Sequence, residues 1–308
     1  MIVLVTGASG FVGTAVVRAL SQRGDQVVCP LRRQVPELQS LRLVTCMTVD
    51  CLDPVALRQA VHATKPKIVI HLAASGVRPS ERDPVALAQG NVGTLAALLQ
   101  AAQDWPLTRL VHIGSVAELG DPGALPCNED TPLAPISAYG GAKAAATTFG
   151  GGVAAALGLP FVVLRLFGTF GIGEAPARLL PHLCRHLLRG QPVPLTSGEQ
   201  IRDFTWIDDV VAAILRGADA ALPAGSLYHV CSGRGHSVRQ VGERMAQLLG
   251  ASPDLLQWGA EPQRSDEPAV LIGDPRRFLA ATGWRATTSL DAAIEQMAAH
   301  MRGANGRV

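Results

Sequence analysis

Short apolar runs alternate with longer amphipathic stretches through the first half of the chain. The apolar runs predict strands at residues 2–5, 26–29, 43–49, 68–72, 110–113 and 161–166. The amphipathic stretches predict helices at residues 11–23, 54–63, 91–103 and 137–157. Strands and helices that alternate at this spacing are typical of an α/β fold, in which helices cover both faces of a doubly wound parallel sheet.

The pattern becomes less regular after Phe167, where glycine and proline are more frequent. Here we predict helices at residues 178–189, 238–249 and 290–301 and a strand at residues 227–230. Ligands bind beyond the carboxyl ends of the strands in open α/β sheets. We therefore expect this smaller C-terminal α/β region to select the substrate.

Composition narrows the class of protein and its partners. With 308 residues and 48% hydrophobic content, the chain can form one large domain or two interlocked ones. The net charge of +2 comes from well-mixed residues of both signs, which argues against a nucleic-acid partner. Six cysteines without a C-x-x-C pair fit reduced thiols. Without a basic leader or a long apolar run, we expect a cytoplasmic protein with no membrane partner.

Three glycines follow the first predicted strand and open the first predicted helix. Gly7 permits a tight turn, Gly10 lets the backbone approach a pyrophosphate, and Gly13 allows the helix to pack closely on the strand. The helix N-terminus also attracts phosphate. The loop therefore predicts a dinucleotide site.

Tyr139 and Lys143 stand four residues apart on a predicted helix downstream of this loop. Positions i and i+4 share a helix face, so the ammonium can lower the pKa of the phenol from its usual value near ~10. Such a phenol can exchange protons near neutral pH. Together with the glycine loop, the pair indicates nicotinamide-dependent redox chemistry.

The G-x-x-G-x-x-G spacing, the H-L-A-A sequence at 71–74 and the Tyr139/Lys143 pair resemble the extended short-chain dehydrogenase/reductase superfamily. The resemblance implies that residues 1–167 form a Rossmann NAD(P)-binding domain. Residues 168–308 would be mainly a substrate-binding region, with about 203–232 packing back on the first domain. The implied cofactor-binding residues are Gly7, Ser9, Gly10, Phe11, Val12, Gly13, Arg32, Arg33, Asp50, Cys51, Leu72, Ala73, Ala74, Asn91, Tyr139 and Lys143.

The end of the second predicted strand bears on the choice of cofactor. An acidic residue there would bind the ribose hydroxyls of NAD(H), but the chain has Leu31 followed by Arg32 and Arg33. Two guanidinium groups can bind a 2′-phosphate through charge-assisted hydrogen bonds. We predict that NADP(H) is preferred, with NAD(H) as the alternative.

Ser115, Tyr139 and Lys143 form the predicted catalytic group. Ser115 follows a strand and keeps the register that the resemblance expects, five residues before Gly120. Ser115 and Tyr139 would stabilise charge on a ketone oxygen as hydride arrives, and Tyr139 would transfer the proton. The resemblance implies that Lys143 holds the ribose hydroxyls and lowers the pKa of Tyr139.

The later half resembles sugar-nucleotide epimerases and reductases in its R-D-F at 202–204, its R-S-D-E-P at 264–268 and its T-G-W at 282–284. The resemblance implies that Arg202 and Arg264 bind the substrate pyrophosphate and that Ser115 contacts the sugar. Gly168 stands where the family has a substrate-binding asparagine. Substrate binding at Gly168 is therefore expected to differ from the family pattern.

Three reactions compete within this group. A 4,6-dehydratase needs an acid and a base where the chain has Val116 and Ala117, so we do not expect that activity. The motifs look most like those of GDP-4-keto-6-deoxymannose reductases, so the main prediction is NADPH-dependent reduction of a 4-keto group on a nucleotide-linked 6-deoxyhexose. An NAD(P)-dependent nucleotide-sugar 4-epimerase is the alternative.

Two rivals come from other classes of protein. A non-catalytic NADP-binding regulator would typically lack Tyr139 or Lys143, both of which the chain retains. A metal site could use His182, Cys184 and His186, but a further ligand is missing and we predict no metal.

A homodimer is expected, because relatives pair through the helices predicted at 91–103 and 137–157. The proposed small-residue contact face is Ala142, Ala145, Ala146 and Ala156. The glycine run at 150–152 has two open explanations, since glycine disfavours a helix interior. Either the helix breaks there or a neighbouring backbone comes close.

Overall fold

The computed structural model describes residues 1–77, 81, 83–123, 126–263 and 266–305. Arg264, one of the predicted substrate-binding residues, lies outside the described residues.

The described strands and helices follow in chain order. The strands are β1 (Ile2–Thr6), β2 (Gln26–Leu31), β3 (Val44–Thr48), β4 (Ile68–His71), β5 (Arg109–Ser115), β6 (Phe161–Leu166), β7 (Gly168–Phe170), β8 (Val193–Leu195), β9 (Ile201–Trp206), β10 (Leu227–Val230), β11 (Gly235–Ser237), β12 (Leu256–Trp258) and β13 (Val270–Leu271). The helices are α1 (Phe11–Arg23), α2 (Pro36–Gln39), α3 (Pro54–Thr64), α4 (Pro84–Ala88), α5 (Thr94–Ala102), α6 (Ala138–Ala156), α7 (Leu179–Leu188), α8 (Ile207–Asp219), α9 (Val238–Leu249), α10 (Arg276–Thr282) and α11 (Leu290–Asn305).

Seven parallel strands form the central sheet in the order β10-β6-β5-β4-β1-β2-β3. Alternate residues of β1 enter different cores, because Val3 and Val5 pack with α1 and α8 while Leu4 packs with α3 and α5. Helices therefore cover both faces, and the predicted α/β fold with a parallel doubly wound sheet is confirmed. All seven carboxyl ends meet at one edge, where the predicted site residues follow β1, β4 and β5.

A smaller sheet lies downstream, centred on β9. This strand pairs with β7 and β13 in parallel and with β11 in antiparallel fashion. The chain then returns to the large sheet, since β10 pairs with β6 and α8 packs against α1. The described strands from residue 168 onward are thus divided among the large sheet, the sheet centred on β9 and a parallel pair of β8 and β12.

The helix that runs from Pro84 to Ala102 contains a π-helical stretch, Gln89–Gly93, between α4 and α5. By length and composition it could cross a membrane, with a mean hydropathy of 1.2. Half of it is buried, and α5 packs against α3 and α6. The core helix of a globular protein passes the same test, so this is weak evidence for a membrane segment.

Helix α6 runs unbroken through the glycine run at 150–152. A Cβ atom on Gly150 would lie 2.6 Å from Leu95 Cδ2 and 3.1 Å from Phe161 Cζ, so side chains, not a backbone, come close there. Nothing lies within 4 Å of a Cβ on Gly151 or Gly152. One of the predicted contact alanines, Ala146, is fully buried within the chain, which removes it from any contact face.

Candidate active site

The glycine loop between β1 and α1 has the geometry of a dinucleotide cradle. A Cβ on Gly7 would lie 2.5 Å from the Leu72 carbonyl carbon, and one on Gly13 would lie 2.1 Å from the Gly7 carbonyl oxygen. Gly10 caps α1 without a side-chain hydrogen bond, and the first turn carries no acidic residue. The first N–H groups of α1 are therefore available to phosphate oxygens. Side chains at these glycines would fill the cradle, so the residues present fit a bound dinucleotide.

The segment after β4 lies directly beneath this loop. Leu72 N–H donates to the Thr6 carbonyl at 3.1 Å, and Ala73 and Ala74 follow it along the edge of the sheet. Asn91 is buried, and its amide donates to the Ser75 and Leu87 carbonyls at 3.0 and 2.9 Å. Asn91 therefore fixes the segment that would support a cofactor.

The far end of the cradle lies at the carboxyl ends of β2 and β3. Leu31 is buried there, whereas Arg32, Arg33 and Asp50 are exposed. Burial raises the pKa of the Cys51 thiol to about 11, Asp50 adds to the rise, and the positive charge of Arg32 opposes it. The two predicted arginines thus stand where an adenosine ribose would be recognised, with no carboxylate at position 31.

Ser115, Tyr139 and Lys143 come together at the carboxyl end of β5. Ser137 caps α6 by accepting from Gly140 N–H at 3.0 Å, and a Cβ on Gly140 would lie 2.2 Å from the Ala117 carbonyl oxygen. Gly140 lets α6 approach this closely, and the Ser115 hydroxyl opposes the rise that burial causes in the pKa of the Tyr139 phenol. The two hydroxyls can act on the same substrate oxygen.

A buried carboxylate, Glu118, holds this arrangement. Its Oε1 accepts from Ser115 N–H at 2.7 Å and from the Thr147 hydroxyl of α6 at 3.1 Å. Its Oε2 accepts from Arg165 Nε at 3.1 Å and Nη2 at 2.9 Å. Arg165 also contacts His229 Nε2 at 3.1 Å. No role was predicted for Glu118 or Arg165 from the sequence. The S-x-x-E pattern at 115–118 is that of a capping box and could have indicated the hydrogen bond from Ser115 N–H to Glu118.

Burial favours the neutral form of both acid–base groups, Tyr139 and Lys143. It raises the pKa of the Tyr139 phenol; the Ser115 hydroxyl opposes this rise, Glu118 adds to it, and Arg178 opposes it. Burial lowers the pKa of Lys143 to about 8 against the opposing charge of Glu118. The Lys143 ammonium donates to the Ile113 carbonyl at 2.5 Å. The Tyr139 pKa is thus raised, where the sequence analysis predicted that Lys143 would lower it, and the cation that opposes the rise is Arg178.

The two central histidines are structural in character. His71 Nδ1 hydrogen-bonds the Thr6 hydroxyl at 2.8 Å, and its ring stacks on His112 at 5.4 Å. Burial lowers the pKa of His71 to about 3, so it is neutral.

His182 and His186 lie 4.1 Å apart between ring centroids, but the described residues hold no group of three side chains that could bind a metal ion.

Two of the predicted substrate-binding residues, Gly168 and Arg202, are in close contact with other parts of the chain. Gly168 lies in β7, where a Cβ would approach the Asp203 carbonyl oxygen to 2.6 Å. Arg202 donates to Glu267 Oε1 at 3.0 Å and to the Pro268 carbonyl at 2.7 Å. Arg202 therefore anchors the segment that precedes β13.

A protein-family model and several known proteins match most of this chain. A family model described as the NAD dependent epimerase/dehydratase family matches residues 3–231. The UDP-glucose 4-epimerase of Halalkalibacterium halodurans is 27% identical over 92% of this chain and 90% of that protein. Five other UDP-glucose 4-epimerases are 24% to 29% identical. A probable dTDP-glucose 4,6-dehydratase of Sinorhizobium fredii is 28% identical over 96% of this chain and 91% of that protein.

Among solved structures, MoeE5 in complex with UDP-glucuronic acid and NAD superposes with a TM-score of 0.89. It is 29% identical, and the match covers 99% of this chain and 100% of that one. The similarity thus extends over nearly the whole chain.

Replacing Glu118 by glutamine is expected to lower the free energy of unfolding by about 3–5 kcal/mol, because Arg165 would keep a buried charge without its partner. Chemical denaturation measures the change. The matched control is Glu243→Gln, which removes an exposed pair with Arg239 and should cost less than about 1 kcal/mol. Equal losses in the two variants would contradict the structural role given to Glu118.

Proposed function

The chain belongs to the NAD dependent epimerase/dehydratase family, and from that premise we propose that it interconverts the C4 epimers of a nucleotide-linked sugar. The observation that carries the proposal is the placement of Ser115 at the end of β5 and of Tyr139 at the start of α6, at the same sheet edge as the glycine loop. The predicted 4-keto reductase shares this pair. The names of the relatives favour the epimerase over the reductase.

Local chemistry argues against the dehydratase reaction. That reaction needs an acid and a base beside the serine, whereas Val116 and Ala117 cannot exchange protons. The next residue, Glu118, is fully buried and bound to Arg165, Thr147 and Ser115. It is therefore unavailable to a sugar.

In the proposed mechanism, Tyr139 removes the proton of the C4 hydroxyl and later returns it. Ser115 donates a hydrogen bond to the same oxygen, which stabilises its charge. A nicotinamide bound at the glycine loop would supply the hydride chemistry at C4. Lys143, one turn along α6, would hold the ribose, and the charge of Arg178 partly offsets the burial that raises the Tyr139 pKa.

The chain's two tyrosines give a direct test of this mechanism. Tyr139→Phe should lower turnover by about 10²–10⁴-fold, because it removes the proton-transfer group. The matched control is Tyr228→Phe, which removes the other phenol and should leave turnover near normal. Proton NMR of UDP-glucose and UDP-galactose mixtures measures both variants. Near-normal turnover by Tyr139→Phe would refute the assigned role.

The cofactor is a nicotinamide dinucleotide in this proposal, and the arginines favour its phosphorylated form. MoeE5 is described in complex with NAD. The preference for NADP(H) is supported by the missing carboxylate at Leu31 and by the charges of Arg32 and Arg33. Their guanidinium groups lie at the adenosine end of the cradle and can pair with a 2′-phosphate.

NADPH should bind about tenfold more tightly than NADH, because a hydrogen bond to a charged group contributes about 1.5–3 kcal/mol. Changing Arg32 and Arg33 to alanine should remove most of that difference. Arg18→Ala, an exposed arginine on α1, is the control and should leave it unchanged. Calorimetric titration with both cofactors measures the ratio, and equal affinities in the unaltered protein would exclude the preference.

Helix α6 carries a partly exposed face, made of small residues around Phe149, that suits a second copy of the chain. Ala142, Ala145, Phe149 and Gly152 recur at helical spacing, and Phe149 is 41% exposed. Small residues allow two helices to approach closely. We propose that this face forms the contact of a homodimer.

Phe149→Glu should convert the dimer to a monomer, because it would bury a charge in the apolar contact. Val55→Glu on α3 changes an even more exposed apolar residue and should leave the dimer intact. Light scattering at micromolar concentration distinguishes the two states. A monomeric unaltered protein would contradict the proposal.

A further inference from the structure

The buried face of α6 is nearly smooth. Five of its seven buried residues are glycine or alanine, and the other two are polar. They are Gly140, Lys143, Ala144, Ala146, Thr147, Gly150 and Ala154. A helix keeps its place along a neighbouring element when larger side chains on the two surfaces interlock. Glycine and alanine have no such side chains, so apolar packing lets α6 come close to β5 but does little to fix its position along its own axis.

The position of α6 along its axis bears directly on the reaction. Tyr139 lies in the first turn of α6, whereas Ser115 is the last residue of β5. Both hydroxyls act on the same C4 oxygen in the proposed mechanism, so a slide of α6 along β5 would change the distance between them. A misplacement of about 1 Å can lower a rate by about 10²-fold. A directional contact from one of the polar residues of the buried face is therefore needed to hold the helix.

Thr147 makes such a contact through one oxygen of Glu118. The Thr147 hydroxyl donates to Glu118 Oε1 at 3.1 Å, and the Ser115 N–H donates to the same oxygen at 2.7 Å. Gly114 leaves room for this oxygen, because a Cβ on Gly114 would lie 2.7 Å from it. A single atom thus joins the helix that carries Tyr139 to the backbone of Ser115.

The acceptor is held in place independently of α6. Glu118 is fully buried, and its Oε2 accepts from Arg165 of β6 at 3.1 and 2.9 Å. Thr147 is only 8% exposed, so water competes little for its hydroxyl. Hydrogen bonds to an ionised acceptor are stronger than those between neutral groups. The Thr147 hydroxyl therefore binds a fixed point, and α6 can slide only if this bond breaks.

Lys143, the other polar residue of the buried face, is less suited to fix the helix. Its ammonium donates to the Ile113 carbonyl at 2.5 Å, but it does so at the end of a flexible four-carbon stem. That stem can keep the bond while the helix shifts. Threonine is short and β-branched, with few χ1 rotamers, so its hydroxyl moves with the backbone. The axial position of α6 therefore depends on Thr147 more than on Lys143.

We propose that Thr147 is a positioning residue, whose hydrogen bond to Glu118 places α6 along β5 and so sets the distance between the Ser115 and Tyr139 hydroxyls. This inference rests on the proposed function, because it concerns the two hydroxyls that act at C4. Thr147 affects the rate only by way of Ser115 and Tyr139. Loss of its hydroxyl should therefore lower kcat without weakening the binding of the sugar nucleotide or of the cofactor.

Thr147→Val keeps the shape of the side chain and removes the hydroxyl. It should lower kcat for epimerisation by roughly tenfold to 10²-fold, while KM and cofactor affinity change by less than about twofold. Thr147→Ser restores the donor and should recover most of the rate. The matched control is Thr148→Val at the next position, where the side chain is exposed, and it should leave kcat unchanged. An unchanged kcat in Thr147→Val, or a serine variant as slow as the valine variant, would overturn the proposal.

A combination with Ser115→Ala separates positioning from a general loss of stability. Without the serine hydroxyl there is no pair of hydroxyls to align. Thr147→Val should therefore lower kcat much less in the Ser115→Ala protein than it does when Ser115 is present. An equal loss of kcat in the two backgrounds would mean that Thr147 acts on the stability of the site as a whole, and it would overturn the positioning role.

Crystal structures of the variants test the inference without any measurement of turnover. The distance between the Ser115 and Tyr139 hydroxyls should change by about 0.5 Å or more in Thr147→Val, the tolerance within which catalytic groups must be held. It should stay as in the unaltered protein in Thr148→Val. An unchanged distance in Thr147→Val would overturn the proposal. If the distance changes but the unaltered protein epimerises no nucleotide sugar, the proposed function fails and this inference stands.

Discussion

The geometry of the candidate active site depends on one buried ion pair, between Glu118 and Arg165. Glu118 receives hydrogen bonds from the backbone of Ser115 in β5, from Thr147 in α6 and from Arg165 in β6. Neither charge can reach water, so each is stable only while the other stays in place. The pair thus fixes the distance between the strand that ends in Ser115 and the helix that carries Tyr139 and Lys143.

The parts of the fold and of the candidate site that depend on residues close together in the chain could be predicted from the sequence. The parallel sheet follows from the alternation of apolar runs and amphipathic helices, and α1 occupies the predicted residues 11–23 because the glycine loop fixes where it begins. The proximity of Tyr139 and Lys143 follows from helical spacing alone. Their approach to Ser115 was an inference from resemblance, and in the structure it depends on Gly140 and Glu118.

The rest depends on contacts between residues far apart in the chain. Arg165 reaches Glu118 across 47 residues, and Arg202 reaches Glu267 across 65, so neither pairing has a local pattern. The predicted lowering of the Tyr139 pKa left out the burial of the phenol, which raises that pKa and cannot be read from helical spacing. Arg178 was predicted only as the start of a helix, because nothing in its neighbours along the sequence indicates that Tyr139 lies close by.

The central claim is that Tyr139 and Ser115 activate C4 of a nucleotide-linked sugar for reversible hydrogen removal. The most direct measurement follows UDP-glucose or UDP-glucuronic acid carrying deuterium at C4, with proton NMR of the products. The account predicts that the 4-epimer forms with its deuterium still on C4 and that none exchanges with water. Loss of the deuterium to water, or its appearance at C6 with loss of the C6 hydroxyl, would contradict the account.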